Sequence, residues 1–386
     1  MKIQIFLFIL ISQISFGQST FHNFGNVQIH NGGAIGFHTN LINDGNFDQN
    51  EGLTGFYSEE ESLSVSGSNE AIFNNVEVAV NDNLELYTSL GVKNNFSFIN
   101  GQIVTPKSDL DVALDFLNYN VYSGESDFEH VNGYVLSKNN GEFIFPIGDD
   151  NQLRPMILPF QAVNTSYQGA YFREDPNNPS TFNNHFDTSK KNKLLGRINT
   201  TEFWDLNGKA ETDIILTWNS ESNIKDITSD IENLRVVGWS KSSNKWEDLG
   251  AVERQGNTEN GMVKSNKFIP DNYEIITIGA DFREVLAETA FATHNYGFSP
   301  NGDGIHDTFT IEGIALRPNN TLKVFDRWGA LVYSKENYNN TWDGTSDNNL
   351  TIKKENGLPV GVYFYVLDFK RSEEHTSESS HVAISY

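Results

Sequence analysis

After residue 18 the sequence sustains no long apolar stripe of helical period. Apolar residues alternate singly with polar ones in short runs, and Asn- and Gly-rich turns interrupt every run. From 19 to about 140 the runs fall at 27–29, 35–37, 63–65, 76–78, 84–86, 96–98 and Ile103. Between them lie Asn31-Gly32-Gly33, Asp44-Gly45-Asn46, Asn81-Asp82-Asn83 and Asn100-Gly101. A period of two buries one face of a strand, and Asn and Gly tolerate the left-handed backbone of tight corners. The class is therefore all-β. Strands of two to four residues at short spacing predict an irregular β-solenoid, β-helix-like, over 18–140. One coil cannot bury its own face, so each must stack on the next. A meandering sandwich fits the irregular period as well.

The pattern changes near 141, where Phe145-Pro146-Ile147-Gly148 opens a region of longer strands at 214–218, 234–239 and 273–279. The Pro- and Asn-rich stretch 175–179 reads as a boundary or insertion. Long alternating strands joined by loops predict a β-sandwich of immunoglobulin-like size over 141–285. Four Trp residues lie here. Trp218 and Trp239 sit inside apolar strands and read as core, whereas Trp204 and Trp246 lie nearer turns and are the better candidates for stacking on sugar rings.

Lys and Arg total 27 and Asp and Glu 51, a formal charge of −24. Such a chain repels phosphate backbones, which argues against a nucleic-acid partner. With no Cys, thiolate chemistry, disulfides and thiolate metal sites are excluded, as is a lipid-anchored Cys. Met1-Lys2, an apolar run over 3–14 and the small residues Ser15 and Gly17 read as a secretory signal peptide, 1–17, cut before Gln18. That run is too short to span ~30 Å of hydrocarbon, and no later segment reads as a transmembrane span.

Catalytic candidates are sparse. Residues 20–150 hold three basic side chains, Lys93, Lys107 and Lys138, against 19 acidic ones. A lyase for acidic sugars needs cations beside the substrate carboxylate, so that chemistry is hard to assemble. His22, His30, His38 and His130 stand singly among strands and read as surface or turn residues. A glycoside hydrolase needs only two facing carboxylates, but the sequence points to no pair.

The last quarter is more specific. The series Phe298, Pro300, Asn301, Gly302, Asp303, Gly304, Asp307, Phe309 leads into 322–329, which ends in Arg327-Trp328-Gly329. Then come 331–333, Trp342-Asp343-Gly344, and 358–365 with Gly361 and Tyr363. In order and spacing this resembles the gliding motility-associated C-terminal domain of Bacteroidetes, the type B sorting domain of type IX secretion cargo, over 290–386. The resemblance implies an immunoglobulin-like β-sandwich recognised by the type IX secretion machinery at the outer membrane. Its cargo ends on the cell surface or outside the cell. By pattern alone, 18–140 resembles β-helix passengers of the same phylum, and 141–285 resembles a module found before such sorting domains.

Two local features stand apart. Asn301, Asp303, the Ile305 carbonyl and Asp307 form a partial EF-hand-like calcium loop, with Ser299 and Thr310 where the first Asp and the bidentate Glu would stand. The same residues equally describe a polar turn held by its own side chains. After Phe369 the resemblance implies a short basic turn and a final strand. Here a polar, acidic run over 371–380 intervenes before an alternating strand at 381–386. Divergence and a reading error near the end of the gene both account for this departure, and resequencing the locus separates them. The expected function is a non-enzymatic adhesin or envelope-interaction protein, with a surface glycan or envelope component as partner and calcium as the sole candidate cofactor. The alternative is a secreted enzyme that binds or degrades polysaccharide. A role in gliding rests on the family name alone.

Overall fold

The computed structural model describes residues 20–118, 121–139, 141–161, 165–281, 296–311, 314, 319–346, 357–370 and 375–384. The expected signal peptide lies outside them. The fold is all-β, with one short helix, α1 (Ile224–Ile227), among the described residues. Two compact units are present, the first made mainly of residues up to 279 and the second mainly of those from 280 onward.

The first unit begins as a solenoid. Its strands are β1 (Thr20–Asn23), β2 (Ala34–Phe37), β3 (Asn40–Asn43), β4 (Leu53–Ser58), β5 (Leu63–Ser66), β6 (Ala71–Val80), β7 (Leu84–Leu86), β8 (Leu90–Asn100), β9 (Ile103–Val104), β10 (Leu114–Leu117), β11 (Val121–Ser123), β12 (Val131–Asn132) and β13 (Val135–Asn139). Apart from β11, which pairs with β8, successive strands alternate between two parallel sheets, β1-β3-β5-β7-β9-β12 and β2-β4-β6-β8-β10-β13. The register pairs Thr20 with Asn40, Leu63 with Leu84, and Leu84 with Ile103, roughly 20 residues per coil.

Alternation works as the sequence implies. Phe37, Phe47, Phe56, Phe73, Phe96 and Phe116 point inward and are buried. They pack edge-to-face or stacked from coil to coil, as in Phe37–Phe56 at 5.2 Å and Phe47–Phe73 at 5.0 Å between centroids. The Asn turns hold the corners. Asn50, 2% exposed, accepts from Ile29 N–H and donates to the Phe47 and Ile72 carbonyls. Gly101 is required because its φ is +82° and a Cβ would run into the Val80 carbonyl of the preceding coil. β6 and β8, at 10 and 11 residues, exceed the expected strand length. Bulges between Phe73 and Asn75 and between Val78 and Ala79 let the pair bend and stay hydrogen-bonded.

The strands that follow, up to residue 281, are β14 (Phe143–Phe145), β15 (Gly148–Asp149), β16 (Gln152–Leu153), β17 (Met156–Leu158), β18 (Thr165–Phe172), β19 (Leu195–Ile198), β20 (Phe203–Asn207), β21 (Ile215–Trp218), β22 (Leu234–Ser240), β23 (Lys245–Asp248), β24 (Glu253–Gly256), β25 (Gly261–Lys264) and β26 (Tyr273–Asp281). The second solenoid sheet continues without a break: β13 pairs antiparallel with β18, and the order runs on through β20-β26-β22-β23. A separate five-stranded antiparallel sheet has the order β14-β17-β21-β25-β24.

The second unit contains β27 (Tyr296–Phe298), β28 (Asn320–Phe325), β29 (Leu331–Glu336), β30 (Gly361–Lys370) and β31 (His375–Ile384), ordered β27-β31-β30-β28-β29. Pairing is antiparallel except between β27 and β31. The final strand starts earlier than the sequence suggested. The polar run supplies its first half, from His375, and ten residues pair with β30. Backbone hydrogen bonding needs no apolar side chain, so a Ser- and Glu-rich stretch on an antiparallel edge still extends the ladder. Val382 and Ile384 then enter the core, as their alternation implied.

Candidate functional site

In the second unit, the motif residues divide into a buried anchor and an exposed tip. The anchor is aromatic. Phe298, Phe309, Trp342, Tyr363 and Tyr365 are each 6% exposed or less, and Phe298 and Phe309 lie 5.3 and 6.0 Å from the Trp342 ring. Trp342 donates its indole N–H to the Thr345 carbonyl at 2.8 Å, while Asp343 accepts from the Thr345 hydroxyl at 2.6 Å. Gly344 closes this turn at φ +78°. Tyr363 ties β30 to the Pro359 carbonyl at 2.8 Å, just before Gly361. Sequence reasoning missed Asn320 and Tyr338. The buried Asn320 side chain accepts from Tyr338 N–H and donates to the Tyr338 carbonyl, at 2.9 and 3.1 Å, and Tyr338 donates its hydroxyl to the Phe309 carbonyl. No motif signalled them, because a lone Asn and a lone Tyr 18 residues apart have no local pattern.

The tip is the turn between β28 and β29. Asp326 Oδ1 accepts from both Trp328 and Ala330 N–H at 2.9 Å, and Gly329 takes φ +80°. The turn is held by these bonds, yet Trp328 is 82% exposed, with the Arg327 guanidinium 5.5 Å from its ring. Beyond it, Val360, Val362 and Phe364 are at least half exposed. A large aromatic held outward by a fully capped turn is not there for packing.

The 301–307 loop shows how its oxygens are used. Asp307 accepts from Gly302 and Gly304 N–H at 2.8 and 2.7 Å, and these bonds hold its carboxyl below the usual carboxylate range. Asp303 accepts from Ile305 N–H at 2.8 Å, and Asn301 from Asp303 N–H at 3.0 Å. Backbone amide hydrogens thus converge on the carboxylates to which the calcium expectation assigns an ion, as in a polar turn held by its own side chains. Among the described residues no cluster of three or more His, Cys, Asp or Glu side chains could hold a metal.

Residues 291–384 match the CHU_C Type IX secretion signal domain. This is the C-terminal sorting domain, and it indicates cargo of type IX secretion, directed toward the cell surface or exterior and engaging the secretion machinery. Among the described residues no helix is long and apolar enough to cross a membrane. No curated protein and no solved structure matches the chain.

In the first unit, the Trp expectation is overturned. Trp204 and Trp246 are fully buried, and their indole N–H groups reach the carbonyls of Arg154 and Phe186. Neither can stack on a sugar, because proximity to a turn in sequence is not exposure. The histidines stay separate. His22 pairs with Asp44 at 2.7 Å on the surface, and this hydrogen bond is the main cause that pulls the Asp44 carboxyl down to about 2. His30 and His38 are exposed. His130 is buried, its pKa pushed down by burial, and lies against Gly148, where a Cβ would strike its ring. Arg154 and Glu202, each 2% exposed or less, form a buried ion pair at 3.1 Å that also takes the Tyr171 hydroxyl at 2.6 Å.

Proposed function

We propose that this protein is a non-enzymatic surface adhesin or envelope-interaction protein, carried out of the cell by its C-terminal domain, with the Trp328 turn as the face the machinery reads. The observation that carries the reading is the division within that domain: a closed aromatic core, and Trp328, 82% exposed, held outside it on a turn capped by Asp326. Support from the passenger is that deeply buried ionisable groups are tied to one another in its interior: Arg154 pairs with Glu202, and Asp205 takes the Tyr134 hydroxyl. Fractionating cells that produce the chain with and without 290–386 tests the export half. The shortened chain is expected in the periplasm, and its arrival at the surface would overturn the assignment.

One observation favours the enzymatic alternative. Asp115 on β10 pairs across the sheet with Gly91 on β8, and a Cβ on Gly91 would lie 2.6 Å from Oε1 of Glu70, just ahead of β6, so the two carboxyls are neighbours across β8. Burial, then the charge of Glu70, pushes Asp115 up to about 8, and burial also raises Glu70. Two facing carboxyls of this kind are what glycoside hydrolysis uses. A reducing-end assay on polysaccharides, with Glu70→Gln and Asp115→Asn as controls, decides between the readings. Turnover that both variants abolish would replace the adhesin by a hydrolase.

A further inference from the structure

The first unit carries a solvent-open groove of ≈ 840 Å³ along one corner of the solenoid, within the size range of small-ligand sites. Its floor is a ladder of side-chain amides from successive coils. Asn100 donates to the Asn81 side-chain oxygen, and Gln102 N–H donates to Asn83 Oδ1 at 2.8 Å. Asn132, one coil further, donates to Gln102 Oε1 at 3.3 Å. Gln102 is 8% exposed and donates its own amide to the Asp150 carbonyl, which fixes the centre of the ladder. Asn100 and Asn132 each use one amide N–H in these bonds, and a side-chain amide carries a second donor and an acceptor besides.

One wall is aromatic. Phe128 is 63% exposed at the groove, on a loop closed by Ser126, whose backbone bonds to Glu129 in both directions and whose hydroxyl accepts from Phe128 N–H at 3.1 Å. The aromatic is presented rigidly and packs into no core. The cation at the groove, Arg173, is paired to Glu221 at 3.1 Å, and Glu129 and Asp150 also line it. The site therefore offers no net positive charge, in a chain of formal charge −24.

We infer that this groove binds an uncharged oligosaccharide segment, and that it is the adhesive site of the passenger; the inference rests on the adhesin reading above. Side-chain amides carry both donor and acceptor, as sugar hydroxyls do, so a ladder of them matches a polyhydroxylated chain without discriminating by charge. The Phe128 face takes the apolar face of one sugar ring. A repeating ligand suits a site whose amides repeat from coil to coil.

The test is titration calorimetry of the full chain with a panel of neutral hexasaccharides (glucan, mannan and galactan) and an acidic one, oligogalacturonate. At least one neutral member is expected to bind. Phe128→Ala should weaken it at least about tenfold, a loss of ~1.4 kcal/mol, and Asn132→Ala should weaken it too. Tyr87→Ala, which removes an exposed aromatic from another part of the solenoid, should change nothing, and 0.5 M salt (roughly a 4–5 Å screening length) should leave the affinity intact. Binding by none of the neutral members, binding that both groove variants retain, or binding only of the acidic member with strong salt dependence would each overturn the inference, as would a peptide that Phe128 recognises in place of sugar. Cell adhesion that survives both groove variants would spare the adhesin reading and sink the groove. Degradation of a bound sugar would sink the adhesin reading alone.

Discussion

Trp328→Ala and Trp342→Ala separate what the sorting domain needs to fold from what it needs to be read. The two Trp residues stand in the same sheet-and-loop unit, one 82% and the other 1% exposed. Removing Trp342 empties a site walled by Phe298, Phe309 and Tyr333 and discards an indole hydrogen bond to Thr345. A buried Trp→Ala change costs about 3–5 kcal/mol. At ~4–8 °C per kcal/mol for a domain of this size, that lowers its melting midpoint by more than about 12 °C. Removing Trp328 costs at most its stacking with Arg327, about 0.5–1 kcal/mol at an exposed site. If the machinery reads Trp328 as a central contact, its loss removes at least about 2 kcal/mol of recognition, roughly 30-fold in affinity. The assay pairs calorimetric melting of each full-length variant with protease accessibility on intact cells. Trp328→Ala should melt like the parent and accumulate in the periplasm. A Trp328→Ala chain that melts normally and reaches the surface at parental levels would refute the reasoning, because rigid presentation of that side chain would then have no role in export.

Three other outcomes are specific to the geometry. Asp205, 5% exposed, takes the Tyr134 hydroxyl at 2.6 Å, and burial pushes its carboxyl up to about 6. A carboxyl raised on folding binds more protons in the native state, so its contribution is full below the unfolded pKa of about 3.9 and is lost as pH rises to about 6, some ~3 kcal/mol in all. Asp205→Asn should therefore gain roughly that much on the parent between pH 4 and pH 7 in urea unfolding, and parallel curves would contradict it. Asn50→Ala strips three backbone groups, on Ile29, Phe47 and Ile72, of their partner, and should cost more than about 2 kcal/mol by the same measurement. The 301–307 loop, with its carboxylates on backbone N–H groups, should give equal melting midpoints in calcium and in chelator, whereas a midpoint raised by calcium would show that the loop rearranges around the ion.

Much of the architecture was readable because it is local. Period-two alternation and Asn-Gly corners mark the solenoid strand by strand, and the Arg-Trp-Gly and Trp-Asp-Gly turns mark the sorting domain. What escaped the sequence is whatever depends on stacking. Trp204 and Trp246 were misassigned because the carbonyls that bury their indoles come from residues 50 and 60 positions away. Glu70 and Asp115 are 45 positions apart and meet only because parallel coils place Gly91, which has no side chain, between them. The groove is hidden for the same reason. Asn81 and Asn100 each read as an ordinary turn residue, Asn132 carries no signal of its own, and only the coil spacing brings the three onto one surface.

The join between solenoid and sandwich explains how such a surface can be held rigid. A parallel solenoid ends on an unpaired strand edge, and an edge left open frays or pairs with another chain. Here β13 has β10 on one side in parallel and β18 on the other in antiparallel pairing, so the last coil of that sheet is continued, not left open. Tyr134, just ahead of β13 and 2% exposed, reinforces the join through its bond to Asp205 on β20. Gln102 does the same at the groove, reaching from the solenoid to the Asp150 carbonyl in the turn between β15 and β16. The amide ladder is thus anchored at the end where the strands change from parallel to antiparallel. The adhesive site proposed above would gain from that arrangement under load, because its ligand contacts would lie beside the coils that Gln102 and Tyr134 tie down.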